Sequence, residues 1–219
     1  MRLQGAIFDM DGTLLDSMPT WRELAPSFLR EAGIRATPEQ LHMLRTMTDH
    51  EVVPYLRESC GLPWSADEIV HQIVVRMEHF YSTEVRPKPG LEKFLSILKM
   101  EGVWMYVATA THRRLTEKAL KTAGIDHYFR GILTSADAGN RKCDSADIYE
   151  MAMRRLRSNK RDTVVFEDAL YAVRTAKAAG FRVAGVYDAA SEQDQDEIRR
   201  LSDYYIRSYE ELIQSRSLD

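Results

Sequence analysis

Short strand-like segments alternate with amphipathic helical segments along most of this chain, and this alternation limits the folds that it can adopt. Apolar runs typical of buried strands lie at residues 3–8, 103–109, 131–135, 163–168, 181–187 and 203–206. Apolar residues recur at helical spacing in residues 91–102, 113–124, 146–157, 170–180, 196–202 and 209–215. Strands that alternate with helices form parallel sheets covered by helices on both faces. We therefore expect an α/β fold with a three-layer core.

A second pattern interrupts this alternation after the first strand. Helical periodicity alone is found in residues 21–33, 38–47, 49–61 and 66–82. Thr37 and Ser65 each precede such a segment as N-cap residues do, and Gly33 and Gly61 follow one as helix stops do. We expect residues 16–86 to form a small all-helical cap domain, inserted into a discontinuous core domain of residues 1–15 and 87–219.

Polar side chains follow three of the predicted strands at the point where each strand ends. The first strand leads to Asp9, the second to Thr109, and a later one to Glu167 and Asp168. Ligands of open parallel sheets bind beyond the carboxyl ends of the strands. Carboxylates gathered in one crevice repel one another unless a cation is bound, and Mg²⁺ suits both oxygen ligands and phosphate substrates. The sequence therefore predicts Mg²⁺ and a phosphate substrate at this edge.

The segment DMDGT, residues 9–13, carries the sharpest chemical signal. In extended backbone Asp9 and Asp11 start on the same side, so that one carboxylate can attack phosphorus while the other serves the leaving group. Gly12 allows a tight turn close to a phosphoryl oxygen, and the Thr13 side chain can form a hydrogen bond within the turn. A calcium-binding loop requires Glu at its twelfth position, which is here Thr20, so that interpretation fails.

Composition excludes several other classes of protein. Apolar residues make up 44% of the chain and charged residues 29%, and the formal net charge is -3 without a basic block. We therefore expect no nucleic-acid or membrane partner. Cys60 and Cys143 lack the spacing of a zinc site, and the first residues lack the apolar region of a signal peptide. We expect a cytoplasmic protein, a monomer or weak homodimer, that acts on a small phosphate ester.

Four segments together resemble the motifs of the haloacid dehalogenase superfamily, in its β-phosphoglucomutase-like branch. They are FDMDGTLLDS at 8–17, VATAT at 107–111, the lysine in NRKCDSADIY at 140–149, and VVFEDALYAVRTAKAAG at 164–180. The resemblance implies a Rossmann-like core with a helical cap. It implies that Asp9 is the nucleophile and a Mg²⁺ ligand, that Asp11 is the general acid and base and a backbone ligand, and that Thr109 bonds the phosphoryl group.

The resemblance also assigns the remaining charged groups of the site. Lys142 would neutralise the phosphoryl charge and steady Asp9, Asp168 would complete the metal site, and Glu167 would serve as a ligand or as the partner of the lysine. The segment around Lys142 departs from the family pattern Lys-Pro-x-Pro-Asp, because both prolines are absent and the aspartate lies one residue further on. Two alternatives therefore stay open: Lys142 is a solvated loop lysine, or Arg141 takes its place in the site.

Further residues are candidates for binding the substrate. Gly12 and Thr13 can approach the phosphoryl group, and Ala110, His112 and Arg113 lie where a helix N-terminus favours anions. In the cap, His50 follows a predicted loop. The arginines of the cap are possible anion ligands, but solvated surface charge explains them better than substrate contact does: Arg22, Arg45, Arg57 and Arg76.

Several activities remain to be compared. Asp11 disfavours dehalogenation, and the absence of lysine from residues 16–86 disfavours phosphonoacetaldehyde hydrolysis. A phosphatase of small esters, acting through an aspartyl-phosphate on Asp9, is the leading hypothesis, and a sugar phosphomutase is the alternative. A phospho-accepting signalling module and a non-catalytic phosphate-binding protein are remote alternatives.

Overall fold

The computed structural model describes residues 3–47 and 49–215, apart from the side chains of residues 45, 46, 49, 50 and 215. Its sheet has six parallel strands in the order β3-β2-β1-β4-β5-β6. The strands are β1 (Gly5–Phe8), β2 (Trp104–Thr109), β3 (Ile132–Thr134), β4 (Thr163–Glu167), β5 (Arg182–Val186) and β6 (Tyr204–Ile206). The predicted α/β class with a parallel sheet is confirmed.

Helices cover both faces of this sheet, as its uniformly apolar central strands require. They are α5 (Leu91–Met100), α6 (Arg113–Thr122), α7 (Ser135–Ala138), α8 (Asp147–Leu156), α9 (Leu170–Ala178), α10 (Gln195–Leu201) and α11 (Tyr209–Ser215). On one face Ile7 and Val165 pack with residues of α8, α9 and α10. On the other, Phe8 stacks on Phe166 at 4.3 Å between ring centroids, and Phe94 of α5 and Tyr209 of α11 pack around them.

Ser17–Glu84 forms a separate compact unit, and the residues on either side of it form the other. Every element described within it is a helix: α1 (Met18–Glu31), α2 (Pro38–Thr46), α3 (Asp49–Glu58) and α4 (Ala66–Thr83). Thr37 and Ser65 are the N-cap residues of α2 and α4, as predicted, and each also forms a capping box. Inside this unit Arg76 forms a bidentate ion pair with Glu31, at 2.8 and 2.6 Å, and lies over the Phe28 ring.

The two segments that leave and re-enter the core run side by side. The amide of Asp16 donates to the carbonyl of Arg86 at 3.0 Å, and the amide of Lys88 donates to the carbonyl of Leu14 at 2.9 Å. Among the residues that the structure describes, no helix is long and apolar enough to cross a membrane.

Candidate active site

The first polar loop of the core begins where β1 ends. The amide of Asp9 donates to the carbonyl of Phe166 at 3.0 Å, which continues the pairing of β1 with β4 for one residue and buries the carboxyl group. Beyond it the chain turns back, and the amides of Leu14 and Leu15 both donate to the carbonyl of Met10 at 2.9 Å. Gly12 adopts φ 84° in this turn, a conformation that side chains disfavour. The turn therefore fixes Asp9 and Asp11 at the edge of the sheet.

Lys142 lies in the loop between α7 and α8, and the structure buries it against Asp9. Its Nζ donates to Oδ1 of Asp9 and, at 2.7 Å, to Oε1 of Glu167, while its side chain is only 3% exposed. The phenol of Tyr149, in α8, donates to the same Oε1 of Glu167 at 2.6 Å. A solvated loop lysine does not describe this geometry, because the ammonium bridges two buried carboxylates.

The end of β4 brings Glu167 and Asp168 to the same place. Ligand oxygens of Asp9, Glu167 and Asp168 all lie within 4.8 Å of one another, and all three residues are buried. The hydroxyl of Thr13 donates to Oδ1 of Asp168 at 2.8 Å, and the phenol of Tyr209 donates to the carbonyl of Thr13 at 3.2 Å. These bonds tie the carboxylate of Asp168 to the turn after β1 and to α11.

The end of β2 supplies hydroxyl groups. Thr109 is buried, and its Oγ1 accepts a bond from the amide of Thr111 at 3.1 Å. The hydroxyl of Thr111 donates to Oδ2 of Asp11 at 2.7 Å. The structure thus brings Asp9, Asp11, Lys142, Glu167 and Asp168 together around adjoining strand ends, with Thr109 and Gly12 beside them.

The candidate substrate ligands are placed less uniformly. Ala110 is exposed beside the site, and His112 is the N-cap residue of α6. The guanidinium of Arg113 donates to the carbonyl of Ile132 at 3.0 Å and to Asp137 at 2.9 Å, although its side chain remains 45% exposed. The side chain of His50 lies outside the part of the chain that the structure describes.

Burial dominates the electrostatics of this cluster. Loss of solvent raises the pKa of Asp9 from 3.8 to about 7, although Lys142 opposes the shift. Burial, with the charges of Asp9 and Glu167, raises the pKa of Asp168 well above its ordinary value. Burial lowers the pKa of Lys142, but attraction to Asp9 and Glu167 more than offsets it, so that the pKa lies above its ordinary value. The lysine is therefore the charged partner of a crowded acidic site.

Three contributors to the site were not expected from the sequence. Thr111, Tyr149 and Tyr209 each donate a hydroxyl bond to a group of the cluster or its loop. Thr111 stands in a segment already singled out, VATAT, and could have been found by its place two residues after Thr109. Nothing local to Tyr149 or Tyr209 marks them, because an aromatic residue at helical spacing normally indicates core packing.

Comparison with known proteins identifies the family. The family model for haloacid dehalogenase-like hydrolases matches residues 6–186, which is more than half of the chain. A phosphorylated carbohydrates phosphatase of Thermotoga maritima is 26% identical over 185 residues, covering 84% of this chain and 85% of that protein. The fructose-1-phosphate phosphatase YqaB of Escherichia coli is 24% identical over 190 residues, covering 84% of this chain and 97% of its own.

The fold also matches a solved structure over nearly its whole length. The crystal structure of a putative β-phosphoglucomutase from Thermotoga maritima has a TM-score of 0.80, with 22% identity, and the match covers 99% of this chain and 100% of that one. At this identity the match speaks for the fold alone. The match of the family model confirms the family expected from the four motifs, and the chain belongs to the haloacid dehalogenase-like hydrolases.

Proposed function

We propose that this protein is a Mg²⁺-dependent phosphatase of small phosphorylated carbohydrates that forms an aspartyl-phosphate on Asp9. The observation that carries this proposal is the contact of Lys142 with both Asp9 and Glu167, beside Asp168. A buried carboxylate held by an ammonium group is a nucleophile already fixed in place. Phosphoryl transfer depends mainly on such positioning and on neutralising charge.

The donor set fits a hard divalent cation. When all three buried carboxyl groups are ionised, they exceed the charge of the one ammonium group by two negative charges, and oxygen is the ligand atom that Mg²⁺ prefers. Asp9, Asp168 and the backbone carbonyl of Asp11 would hold the ion. Oε1 of Glu167 already accepts bonds from Lys142 and Tyr149, so its contribution would come from Oε2. When bound, Mg²⁺ would supply positive charge for the phosphoryl oxygens.

In the first half-reaction a carboxylate oxygen of Asp9 attacks phosphorus and the bond from phosphorus to the ester oxygen breaks. Asp11 donates a proton to the departing sugar oxygen, which leaves as an alcohol. Lys142 and the hydroxyl of Thr109 stabilise the charge that builds up on the phosphoryl group. The product is an acyl phosphate on Asp9 and an ionised Asp11.

In the second half-reaction Asp11 accepts a proton from water as the water oxygen attacks phosphorus. The bond between phosphorus and Asp9 breaks, inorganic phosphate leaves, and both aspartates return to their starting states. One carboxyl group thus serves as acid and then as base, which explains why a second aspartate follows Asp9 so closely in the chain.

Phosphorylated carbohydrates are proposed as substrates because two relatives that match most of their own lengths are named for them. The solved structure named for a phosphomutase resembles this chain at an identity that informs on fold alone. We therefore place hydrolysis before mutase activity, and the assay below distinguishes the two.

The test measures phosphate release from sugar phosphates, sugar alcohol phosphates, nucleotides and p-nitrophenyl phosphate, with Mg²⁺ and with EDTA. Release that requires Mg²⁺ and is lost in Asp9→Asn is expected, with sugar phosphates among the best substrates. Asp126→Asn, an exposed carboxyl change in the same domain, is the control and should match wild type. Interconversion of hexose phosphates with a bisphosphate activator and without phosphate release would replace the proposal by a phosphomutase.

A further inference from the structure

The loop between β2 and α6 holds Thr111 by its backbone on two sides. Its amide donates to Oγ1 of Thr109 at 3.1 Å. Its carbonyl accepts from Oγ1 of Thr116 at 3.2 Å, and the same hydroxyl contacts the carbonyl of His112 at 3.1 Å. Thr116 is fully buried in the first turns of α6. The direction of the Thr111 side chain is therefore set by a strand end and a helix.

That side chain is directed at Asp11. The hydroxyl of Thr111 donates to Oδ2 of Asp11 at 2.7 Å, across 100 residues of sequence. Oδ2 can accept this bond when Asp11 is ionised and also when the proton resides on Oδ1, because the second oxygen then is a carbonyl oxygen. The bond is therefore compatible with both protonation states of Asp11, and it limits rotation of the carboxyl plane.

We propose that Thr111 is a positioning residue for the general acid and base, fixing Oδ2 of Asp11 so that Oδ1 is presented to the leaving oxygen and then to water. This inference rests on the proposed phosphatase reaction. Asp11 is half-buried at the start of the turn after β1, and the bond from Thr111 joins it to the loop after a second strand. A proton donor on a turn gains most from a second element that restricts it, because a small misplacement is costly in rate.

A comparison of two leaving groups distinguishes the positioning role of Thr111 from a role in substrate binding or in stability. A sugar oxygen leaves as a poor alkoxide and needs the proton of Asp11, whereas p-nitrophenolate is a stable anion that needs none. Thr111→Val keeps the shape and removes the hydroxyl. For a sugar phosphate we expect kcat and kcat/KM to fall together by about 10-fold. This factor corresponds to the lower end of the free energy that a hydrogen bond to a charged group contributes. For p-nitrophenyl phosphate kcat/KM should change less than about 2-fold.

A double-mutant cycle with Asp11→Asn completes the test. Because Thr111 acts through Asp11, adding Thr111→Val to Asp11→Asn should lower the rate on the sugar phosphate less than about 2-fold further. Thr111→Ser retains the hydroxyl and should recover most of the wild-type rate. Thr122→Val makes the same change at an exposed position at the end of α6 and should have no effect.

The outcomes separate the two proposals. Thr111→Val at the wild-type rate, a rise in KM at unchanged kcat, equal losses of kcat/KM on both substrates, or full additivity with Asp11→Asn would each overturn the positioning role. The proposed function itself would fail in a different place: wild type would release no phosphate, or Asp11→Asn would hydrolyse the sugar phosphate normally.

Discussion

At the scale of single residues, Lys142 carries the largest share of the charge balance. Replacing it by methionine, which has a similar length and no charge, leaves Asp9 and Glu167 buried without their shared partner. We expect Lys142→Met to lower kcat by at least about 100-fold, and to destabilise the protein in EDTA by about 3 kcal/mol. Phosphate release and urea unfolding measure the two effects.

Two further variants define what the ammonium contributes. Lys142→Arg should not restore activity, because a planar guanidinium cannot take the place of a point charge between two carboxylates. Lys121→Met, at an exposed position of α6, should leave rate and stability near wild type. An active Lys142→Met enzyme would show that the lysine serves folding alone.

Tyr149 tests the support of Glu167 with a minimal change. Tyr149→Phe keeps the buried ring and removes only the hydroxyl that donates to Oε1 of Glu167. A hydrogen bond to a charged group contributes about 1.5–3 kcal/mol, so we expect a loss of stability in that range in urea unfolding. Tyr205→Phe removes a bond to the neutral amide of Gln195 and should cost about 1 kcal/mol or less. Equal losses of stability in the two variants would show that the bond from Tyr149 to Glu167 contributes no more than a bond to a neutral amide.

The limits of sequence reasoning are clearest at these residues. Asp9 and Asp11 could be located because a buried strand followed by a glycine turn is a local pattern. Lys142 meets Asp9 across 133 residues, in a loop whose spacing departs from the family, so only the packing of that loop places its ammonium group. Tyr209 reaches the carbonyl of Thr13 across 196 residues, a contact that no local pattern encodes.

At the scale of elements, side-chain bonds restrict the loop before α8, which lacks the two prolines of the family pattern. Asn140 donates to Asp147 at 2.7 Å, and the amide of Asp147 donates to the hydroxyl of Ser145 at 3.1 Å, so the ends of the loop are joined to the first turn of α8. Arg141 pairs with Asp144 within the loop, at 2.7 Å, on the exposed side. Side-chain bonds here restrict the backbone that carries Lys142, as ring closure in proline would.

The two bonds of this loop should differ in importance. Asn140→Ala removes the tie to α8, and we expect faster hydrogen exchange in residues 140–147 and a fall in kcat of about 3- to 10-fold as Lys142 loses its fixed position. Arg141→Ala removes an exposed ion pair, which contributes about 0–1 kcal/mol, and is the control. Larger effects from Arg141→Ala than from Asn140→Ala would assign the support of Lys142 to the ion pair instead.

Elements also differed in how well the sequence predicted them. The starts of α2 and α4 were predicted because their capping residues bond within three positions along the chain. The helix α7 was not predicted, because four residues are too few to show helical periodicity. Its N-cap Thr134 ends β3, so the helix depends on where that strand stops.

At the scale of the whole molecule, charge is distributed very unevenly. The chain as a whole has a formal charge of only -3, yet its core concentrates Asp9, Glu167 and Asp168 around one lysine. The pKa of Asp9 rises from 3.8 to about 7 on folding, so between these values the folded state binds more protons than the unfolded state. The contribution of Asp9 to stability without metal therefore decreases as the pH rises through this window.

Mg²⁺ binding should offset the loss of stability that accompanies ionisation of Asp9, and the stabilisation by the ion should depend on pH. The ion competes with protons for Asp9 and Asp168, whose pKa values are both raised, so it binds better above pH 7 than at pH 5. At a concentration of about 100 times the dissociation constant, Mg²⁺ should raise Tm by about 5–10 °C at pH 7.5. At the same concentration the shift at pH 5 should be less than half as large. Scanning calorimetry with Mg²⁺ and with EDTA measures both shifts.

Carboxyl variants show where the stabilisation arises. Asp168→Asn should lose most of the Tm shift at pH 7.5, because it removes a negative ligand from the cluster, whereas the exposed change Asp126→Asn should retain it. Equal shifts at pH 5 and pH 7.5, or a full shift in Asp168→Asn, would place the ion outside this cluster. A Tm shift that depends on both pH and Asp168 would show that Mg²⁺ binds to the buried carboxylates of the core. This measurement requires no substrate.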